Sequence, residues 1–152
     1  MSDASIFDPQ SMFDVKGKVA LITGASGAFG MVVARVLAGA GCRLVLAAGN
    51  ETALEEISAE CRAAGADVAA VNIRPSDEAA CQQLVQRAVG EFGRLDILVV
   101  ASGMNKVALI NDMEPATFTD VMDANVTQSW LMARAATVEM LKQGQGGKIV
   151  LM

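Results

Sequence analysis

Short apolar runs alternate along the chain with longer segments whose apolar residues recur every three or four positions. The runs cover residues 18–22, 43–47, 67–71, 96–100 and 148–151. From Val19 to Ile22 and from Ile97 to Val100, no polar residue interrupts the apolar sequence. Strands read this way when they are buried on both faces, because helices cover each side of a parallel sheet. The pattern therefore predicts five parallel strands.

The segments between the runs predict helices. The first begins near Phe29, and the second follows Asn50, a residue type that favours the N-cap position. The third follows Pro75-Ser76-Asp77, and a long fourth helix is predicted over about residues 115–143. Parallel strands need crossover connections, and right-handed crossovers place helices on both faces of the sheet. The predicted fold class is α/β, with a doubly wound parallel sheet.

Length and composition fit one compact domain. Of the 152 residues, 53% are hydrophobic and 19% are charged, which excludes a disordered chain. The formal charge of −5 offers no basic surface to nucleic acid. No apolar run is long enough to cross a bilayer, so we expect no membrane partner. Residues 1–14 show no signal-peptide pattern and are expected to form an N-terminal extension.

The numbers of His and Cys residues limit the kinds of catalytic and metal site that the chain can form. The chain has no His, which excludes His-based triads and His metal sites, and we predict no metal site. Its three cysteines, Cys42, Cys61 and Cys81, are odd in number and form no C-x-x-C motif. We expect them to be small buried residues in a reducing compartment, and the expected location is the cytoplasm.

The turn after the first predicted strand is rich in small residues. It reads Thr23-Gly24-Ala25-Ser26-Gly27-Ala28-Phe29-Gly30 and leads into the first predicted helix. Such a turn leaves several backbone N–H groups unpaired and pointing at one spot, where the helix dipole adds positive potential. Glycine is needed where a Cβ would block a phosphate. The turn therefore predicts a binding site for a dinucleotide diphosphate.

This turn resembles the T-G-x-x-x-G-x-G loop of the short-chain dehydrogenase/reductase family. Thr23, Gly24 and Gly30 fall on family positions, whereas Ala28 stands at the middle Gly and Gly27 just before it. The resemblance implies a Rossmann-like sheet with strand order 3-2-1-4-5. It also implies a dinucleotide-binding domain over residues 15–152.

Further landmarks follow in the family's order. Asn72-Ile73 resembles the Asp-Val pair that holds the adenine ring, and Val100-Ala101-Ser102-Gly103 resembles the N-N-A-G segment with only its Gly retained. Gly147-Lys148-Ile149-Val150 resembles the G-R-I-V sequence that opens the fifth strand. The predicted cofactor-binding residues are Gly24, Ser26, Gly27, Ala28, Phe29, Gly30, Ala48, Gly49, Asn50, Asn72, Ile73, Ala101, Ser102 and Gly103.

Asn125 lies on an apolar face of the long predicted helix. The other residues on that face are Phe118, Val121, Met122, Ser129, Met132 and Ala136. A buried amide needs hydrogen-bond partners, and one explanation is a structural bond to a neighbouring loop. The family resemblance implies instead a kinked helix whose Asn holds a water in a proton relay. We therefore predict Asn125 as the catalytic residue within this chain.

The family's remaining catalytic residues are absent from this sequence. In the family a Ser follows the fifth strand, and a Tyr-x-x-x-Lys motif on the next helix transfers the proton and holds the ribose. This chain ends at Met152 and contains no Tyr. We therefore expect part of a longer protein, inactive alone and lacking further C-terminal strands. A free-standing chain is expected to associate through the open edge of its fifth strand.

The end of the second predicted strand bears on the choice of cofactor. NAD-preferring members of the family usually carry an Asp there, and NADP-preferring members an Arg or Lys nearby or in the Gly-rich loop. This chain has Ala47-Ala48-Gly49-Asn50 and no basic residue in the loop. Since no Asp repels a 2′-phosphate, the expected cofactor is NADP or NAD, with a slight preference for NADP.

Three functions are compatible with these features. The first is hydride transfer between a nicotinamide cofactor and a small carbonyl or alcohol substrate, performed by a longer protein that is a homo-oligomer, either a tetramer or a dimer. The second is a non-catalytic dinucleotide-binding module. The third is an S-adenosylmethionine-dependent methyltransferase, whose site usually has an acidic residue after the second strand, where this chain has Ala48.

Overall fold

One parallel sheet organises residues 13–152, the part of the chain that the computed structural model describes. Its strands are β1 (Val19–Thr23), β2 (Arg43–Ala47), β3 (Val68–Val71), β4 (Ile97–Val100) and β5 (Lys148–Leu151). They lie in the order β3-β2-β1-β4-β5, and every pairing is parallel. The predicted fold class and strand order are confirmed. Of the predicted N-terminal extension, residues 1–12 lie outside the described part.

Helices connect the strands and begin where the sequence predicts them. They are α1 (Ala28–Gly39), α2 (Glu51–Ala63), α3 (Glu78–Phe92), α4 (Pro115–Met122) and α5 (Gln128–Gln143). The Asn50 side chain caps α2 by accepting a hydrogen bond from the Ala53 amide at 3.1 Å. Asp77 caps α3 in the same way, with the Ala80 amide at 2.8 Å. No helix in residues 13–152 is long and apolar enough to cross a membrane.

The fourth predicted helix is interrupted at its centre. A π-helical turn, Asp123–Thr127, separates α4 from α5. The Asn125 side chain donates from Nδ2 to the Val121 carbonyl at 2.8 Å, and the Ser129 hydroxyl donates to the Asn125 carbonyl at 2.8 Å. Side chains thus compete with backbone amides for these carbonyls and loosen the regular ladder. The long helix predicted over about residues 115–143 is therefore present but irregular around Asn125, where the family resemblance implied a kink.

Apolar side chains fill both faces of the sheet. On one face, α3 and α5 pack Leu84, Val85 and Met132 against the strands, and on the other face α1 and α2 contribute Ala34 and Ile57. Every residue of β1 is buried, as the unbroken apolar run predicted. Two buried faces hold the carboxyl ends of the strands in fixed positions, which makes that edge a rigid platform for a site.

The three cysteines are buried and free, as the sequence predicted. Burial and, to a smaller extent, the nearby Asp77 and Glu78 carboxylates together raise the pKa of the Cys81 thiol to about 11. Burial also raises the pKa of Cys42 and Cys61 above the ordinary value. A thiol with a raised pKa stays protonated at neutral pH and is a poor nucleophile. These cysteines therefore act as apolar packing residues in the core.

A buried carboxylate ties β1 to β4 at the end of the sheet opposite the predicted site. Asp96 accepts hydrogen bonds from the Val19 amide at 2.9 Å and from Nε of Arg94 at 2.8 Å. Burial alone raises the pKa of Asp96, but the Arg94 guanidinium and the Val19 amide outweigh it and hold that pKa below its ordinary value. The ionised carboxylate is therefore part of the folded structure.

Candidate functional site

A cleft of about 190 Å³ opens at the carboxyl edge of the sheet. The turn after β1, the start of α2, the segment after β3 and the loop after β4 all meet there. Its lining residues are Gly24, Ser26, Gly27, Ala48, Gly49, Asn50, Ile73, Arg74, Pro75, Ala101, Ser102 and Gly103. Four separate segments of the predicted cofactor site therefore come together. Of the predicted binding residues, Ala28, Phe29, Gly30 and Asn72 lie beside this lining rather than in it.

Two glycines allow the turn after β1 to pack closely. A Cβ on Gly24, whose φ is +66°, would lie 2.5 Å from both the Ala101 carbonyl oxygen and the Ser102 nitrogen. A Cβ on Gly30 would collide with the Gly24 carbonyl oxygen and lie 2.8 Å from the Ala25 Cα. Backbone atoms cannot move aside as a flexible side chain can, so both positions require glycine.

The start of α1 presents free amides to the cleft. Gly27 is the N-cap and provides no side-chain acceptor, and the first helical hydrogen bond runs from the Met31 amide to the Gly27 carbonyl at 2.9 Å. Across residues 13–152, no acceptor pairs with the amides of Ala28, Phe29 or Gly30. The Gly27 amide itself is bonded to the Gly24 carbonyl at 2.9 Å. Unpaired amides at the positive end of a helix form a site for a phosphate group.

The strand ends on either side of this turn are joined by side chains. The Asn72 amide donates from Nδ2 to the Ala48 carbonyl at 3.1 Å, which ties the segment after β3 to the end of β2. Thr23 and Ser102 share a hydrogen bond between their hydroxyls at 2.9 Å. This contact joins the carboxyl ends of β1 and β4, where the chain has Val100 and Ala101 at the two Asn positions of the motif it resembles.

Asn125 is bound to the loop after β4. Its Oδ1 accepts from the Met104 amide at 3.2 Å, and its Nδ2 donates to the Met104 carbonyl at 2.7 Å. The structural bond considered from the sequence is therefore present. The expectation of burial was wrong, because Asn125 is exposed and Phe118, Met122 and Val126 on the same helix are 57%, 42% and 54% exposed. Only the later part of that face, Ser129, Met132 and Ala136, is buried.

The sequence analysis missed Arg74, which lines the cleft. It follows β3 by three residues, yet its side chain lies against Gly49 at the end of β2. A Cβ on Gly49 would collide with Nε of Arg74 and lie 2.8 Å from its Cζ. A basic side chain therefore stands near the end of the second strand, although none occurs in the sequence there. The residues that follow β2 in the sequence do not reveal this basic side chain, because Arg74 belongs to the segment that follows β3.

Known proteins are similar to this chain in sequence and in fold. An uncharacterized oxidoreductase of Mycobacterium tuberculosis is 51% identical over 140 residues, which cover 91% of this chain and 51% of that protein. The crystal structure of a short-chain type dehydrogenase/reductase from Mycobacterium marinum superposes with a TM-score of 0.88 at 34% identity, covering 92% of this chain and 57% of that one. NAD⁺-bound xylitol dehydrogenase superposes with a TM-score of 0.83 at 31% identity, covering 88% and 52%.

The chain spans about half the length of the curated relatives it matches. The match to the family description "short chain dehydrogenase" extends over residues 18–152, which includes β1 to β5, α1 to α5 and the whole cleft. This chain belongs to the short-chain dehydrogenase/reductase family of oxidoreductases.

Proposed function

We propose that the protein to which this chain belongs transfers hydride between a nicotinamide cofactor and a small carbonyl or alcohol substrate. The observation that carries the proposal is the set of unpaired amides at Ala28, Phe29 and Gly30, at the mouth of a cleft made from four strand ends. Such amides suit a diphosphate, because several donors converge on the same oxygens. The NAD⁺ bound to xylitol dehydrogenase, a structural relative, supports a nicotinamide dinucleotide.

The residues present fit the cofactor. Gly24 and Gly30 allow the turn after β1 to pack backbone against backbone, and the free amides that follow would hold the diphosphate. Asn72 donates one Nδ2 proton to the Ala48 carbonyl, and its Oδ1 accepts no hydrogen bond from residues 13–152, so that oxygen is available to accept from the adenine amine. When bound, the nicotinamide supplies the hydride chemistry. The protein's part is to hold and orient that group at the carboxyl edge of the sheet.

Asn125 has the role of positioning a water in the proton relay. Both Nδ2 protons are engaged, by the Met104 and Val121 carbonyls, and Oδ1 already accepts from the Met104 amide. A water would therefore be held through the second lone pair of Oδ1. The sequence contains no Tyr, so no residue of this chain takes the family's acid/base role. The proposal therefore concerns the whole protein, with the chain as its cofactor-binding part.

Exposed apolar residues on α5 favour a homo-oligomer, a tetramer or a dimer, in the whole protein. Trp130, Val138 and Leu141 are 59%, 64% and 75% exposed. Large exposed apolar side chains grouped on one helix are typical of contact surfaces. The buried free thiols favour a reducing location, the cytoplasm. Family membership argues against the methyltransferase alternative.

The test is a hydride-transfer assay on the full-length protein, following absorbance of the reduced nicotinamide with a panel of small aldehydes, ketones and alcohols. We expect turnover with at least one substrate class and with NADP or NAD. The matched control is the Gly30→Ala variant, which should bind neither cofactor. Cofactor binding without turnover on any substrate would favour the non-catalytic binding module. Absence of binding to either cofactor would contradict the proposal.

A further inference from the structure

Arg74 differs from every other arginine in the chain. Of the seven arginines, Arg35, Arg62, Arg87, Arg94 and Arg134 form ion pairs with carboxylates, and Arg43 donates to the carbonyls of Phe92 and Gly17. Within residues 13–152, the Arg74 guanidinium has neither an ion pair nor a hydrogen bond. A guanidinium carries five donors in a planar fork, so this side chain has its full binding capacity available.

The backbone around Arg74 is held in place. The Ser76 amide donates to the Arg74 carbonyl at 2.8 Å, and the Ile73 amide donates to the Val71 carbonyl at 2.9 Å. Pro75 is buried. These contacts aim the side chain across the end of β2, where it covers Gly49 and lines the cleft beside Asn50. Glycine at position 49 leaves the space that the guanidinium stem fills.

The neighbouring carboxylates leave the guanidinium free. Asp77 accepts from the Ala80 amide and the Ser76 hydroxyl, and Glu78 accepts from Arg134 and Gln82. Glu51, in the first turn of α2, is exposed and forms no ion pair with Arg74. A cation that forms no ion pair within residues 13–152 therefore lines the same cleft as Gly27, the N-cap of α1.

We propose that Arg74 binds the 2′-phosphate of a phosphorylated adenosine ribose, and that it gives the cofactor site a preference for NADP(H) over NAD(H). The inference rests on the proposed function, because it assumes that a nicotinamide dinucleotide occupies the cleft. A guanidinium and a phosphate dianion form two parallel charge-assisted hydrogen bonds, whereas a neutral 2′-hydroxyl offers only one weaker partner. The segment after β3 thus provides the basic group that is missing from residues near 49.

The test measures the Kd of NADPH and of NADH by isothermal titration calorimetry on the full-length protein. We expect NADPH to bind roughly ten- to a hundredfold more tightly, the range of a charge-assisted pair. Arg74→Ala should reduce that ratio to nearly one, because it weakens NADPH binding far more than NADH binding, and Arg74→Lys should retain part of the preference. Adenosine 2′,5′-bisphosphate against adenosine 5′-monophosphate repeats the comparison without the nicotinamide.

Arg35→Ala is the matched control, because it removes the same charge from an ion pair with Glu60 on the outer helices. It should leave the NADPH-to-NADH ratio at the wild-type value. A wild-type protein that binds both cofactors equally, or NADH more tightly, would overturn the role of Arg74 while leaving the proposed function intact. An Arg74→Ala variant that keeps the wild-type NADPH-to-NADH ratio would likewise overturn the role of Arg74 and leave the proposed function intact. If neither cofactor binds, the proposed function and this inference fall together.

Discussion

Two segments at the same edge of the sheet, the turn after β1 and the loop after β4, are built in opposite ways. The turn needs only four residues to pass from Thr23 to Ala28, and its Ala25 is fully buried. The loop runs from the end of β4 at Val100 to α4, and its apolar Val107 and Ile110 are 90% and 93% exposed. The turn is shaped by backbone packing, whereas the loop depends on side-chain contacts with the π-helical turn.

This difference in packing between the turn and the loop indicates which part of the site is already rigid without a ligand. The glycine contacts of the turn join backbone to backbone at the edge of the buried sheet, and the free amides follow directly at the start of α1. The loop is fixed at Met104 by the Asn125 side chain, and most of its other residues are exposed. We therefore expect substitutions in the turn to change both stability and cofactor binding, and substitutions in the loop to change mainly local order.

The largest effect is expected from adding one methyl group to the turn. Gly30→Ala places a Cβ against the Gly24 carbonyl and 2.8 Å from the Ala25 Cα, so backbone must shift. We expect a loss of about 3 kcal/mol in the free energy of unfolding, measured by urea denaturation, together with loss of cofactor binding.

Gly90→Ala is the control for this change, because Gly90 lies in α3 with nothing within 4 Å of the added Cβ. Alanine favours a helix, so this variant should gain up to about 1 kcal/mol. Equal stability of the two alanine variants would show that the turn is not closely packed, and the contrast between turn and loop would be wrong.

A smaller effect is expected where β1 and β4, the strands that carry the two segments, are joined. Asp96→Asn removes the charge that holds Arg94 and weakens the bond to the Val19 amide. We expect a loss of about 2 kcal/mol at neutral pH, measured by urea denaturation.

The pH dependence of Asp96 follows from the direction of its pKa. Because the folded pKa is below the ordinary value, the carboxylate stabilises the protein fully above the unfolded pKa of about 3.9. That contribution is lost as pH falls through the lower, folded pKa. The difference in unfolding free energy between wild type and Asp96→Asn should therefore shrink on acidification. A difference that grows in acid would contradict this account of the carboxylate.

The smallest effect is expected in the loop. Asn125→Ala removes three side-chain hydrogen bonds, to the Met104 amide, the Met104 carbonyl and the Val121 carbonyl. Because the site is exposed and water can replace these bonds, we expect a cost of only about 1 kcal/mol. Hydrogen exchange at the Met104 amide should accelerate, while exchange in β1 stays slow.

Asn105→Ala is the control in the same loop, since Asn105 is exposed and its side chain forms no hydrogen bond with any residue from 13 to 152. It should leave exchange at Met104 unchanged. Similar acceleration in both variants would mean that Asn125 does not hold the loop.

The strands and the phosphate turn were predictable because their signals are local. The second and fifth strands match their predicted bounds, and Asn50 caps α2 as its side-chain chemistry indicated. β1 begins one residue later than predicted, at Val19, whose amide is bonded to the carboxylate of the distant Asp96. Local pattern sets the type of an element, and partners from elsewhere set its ends.

The parts of the site that could not be predicted depend on contacts between distant segments. Apolar residues keep a spacing of three or four positions through Asp123–Thr127, so periodicity alone did not reveal the π-helical turn, and only the family resemblance implied a kink there. Arg74 enters the cofactor cleft from the segment after β3, and the Thr23–Ser102 hydrogen bond joins residues 79 positions apart. One sequence gives the positions of such residues but not the directions of their side chains.

The most direct measurement of the central claim is a crystal structure of the protein with NADPH bound. The account predicts diphosphate oxygens within hydrogen-bond distance of the Phe29 and Gly30 amides, with the adenosine ribose beside Gly49. A nucleotide bound elsewhere, or a diphosphate with no hydrogen bond to the amides at the start of α1, would contradict it.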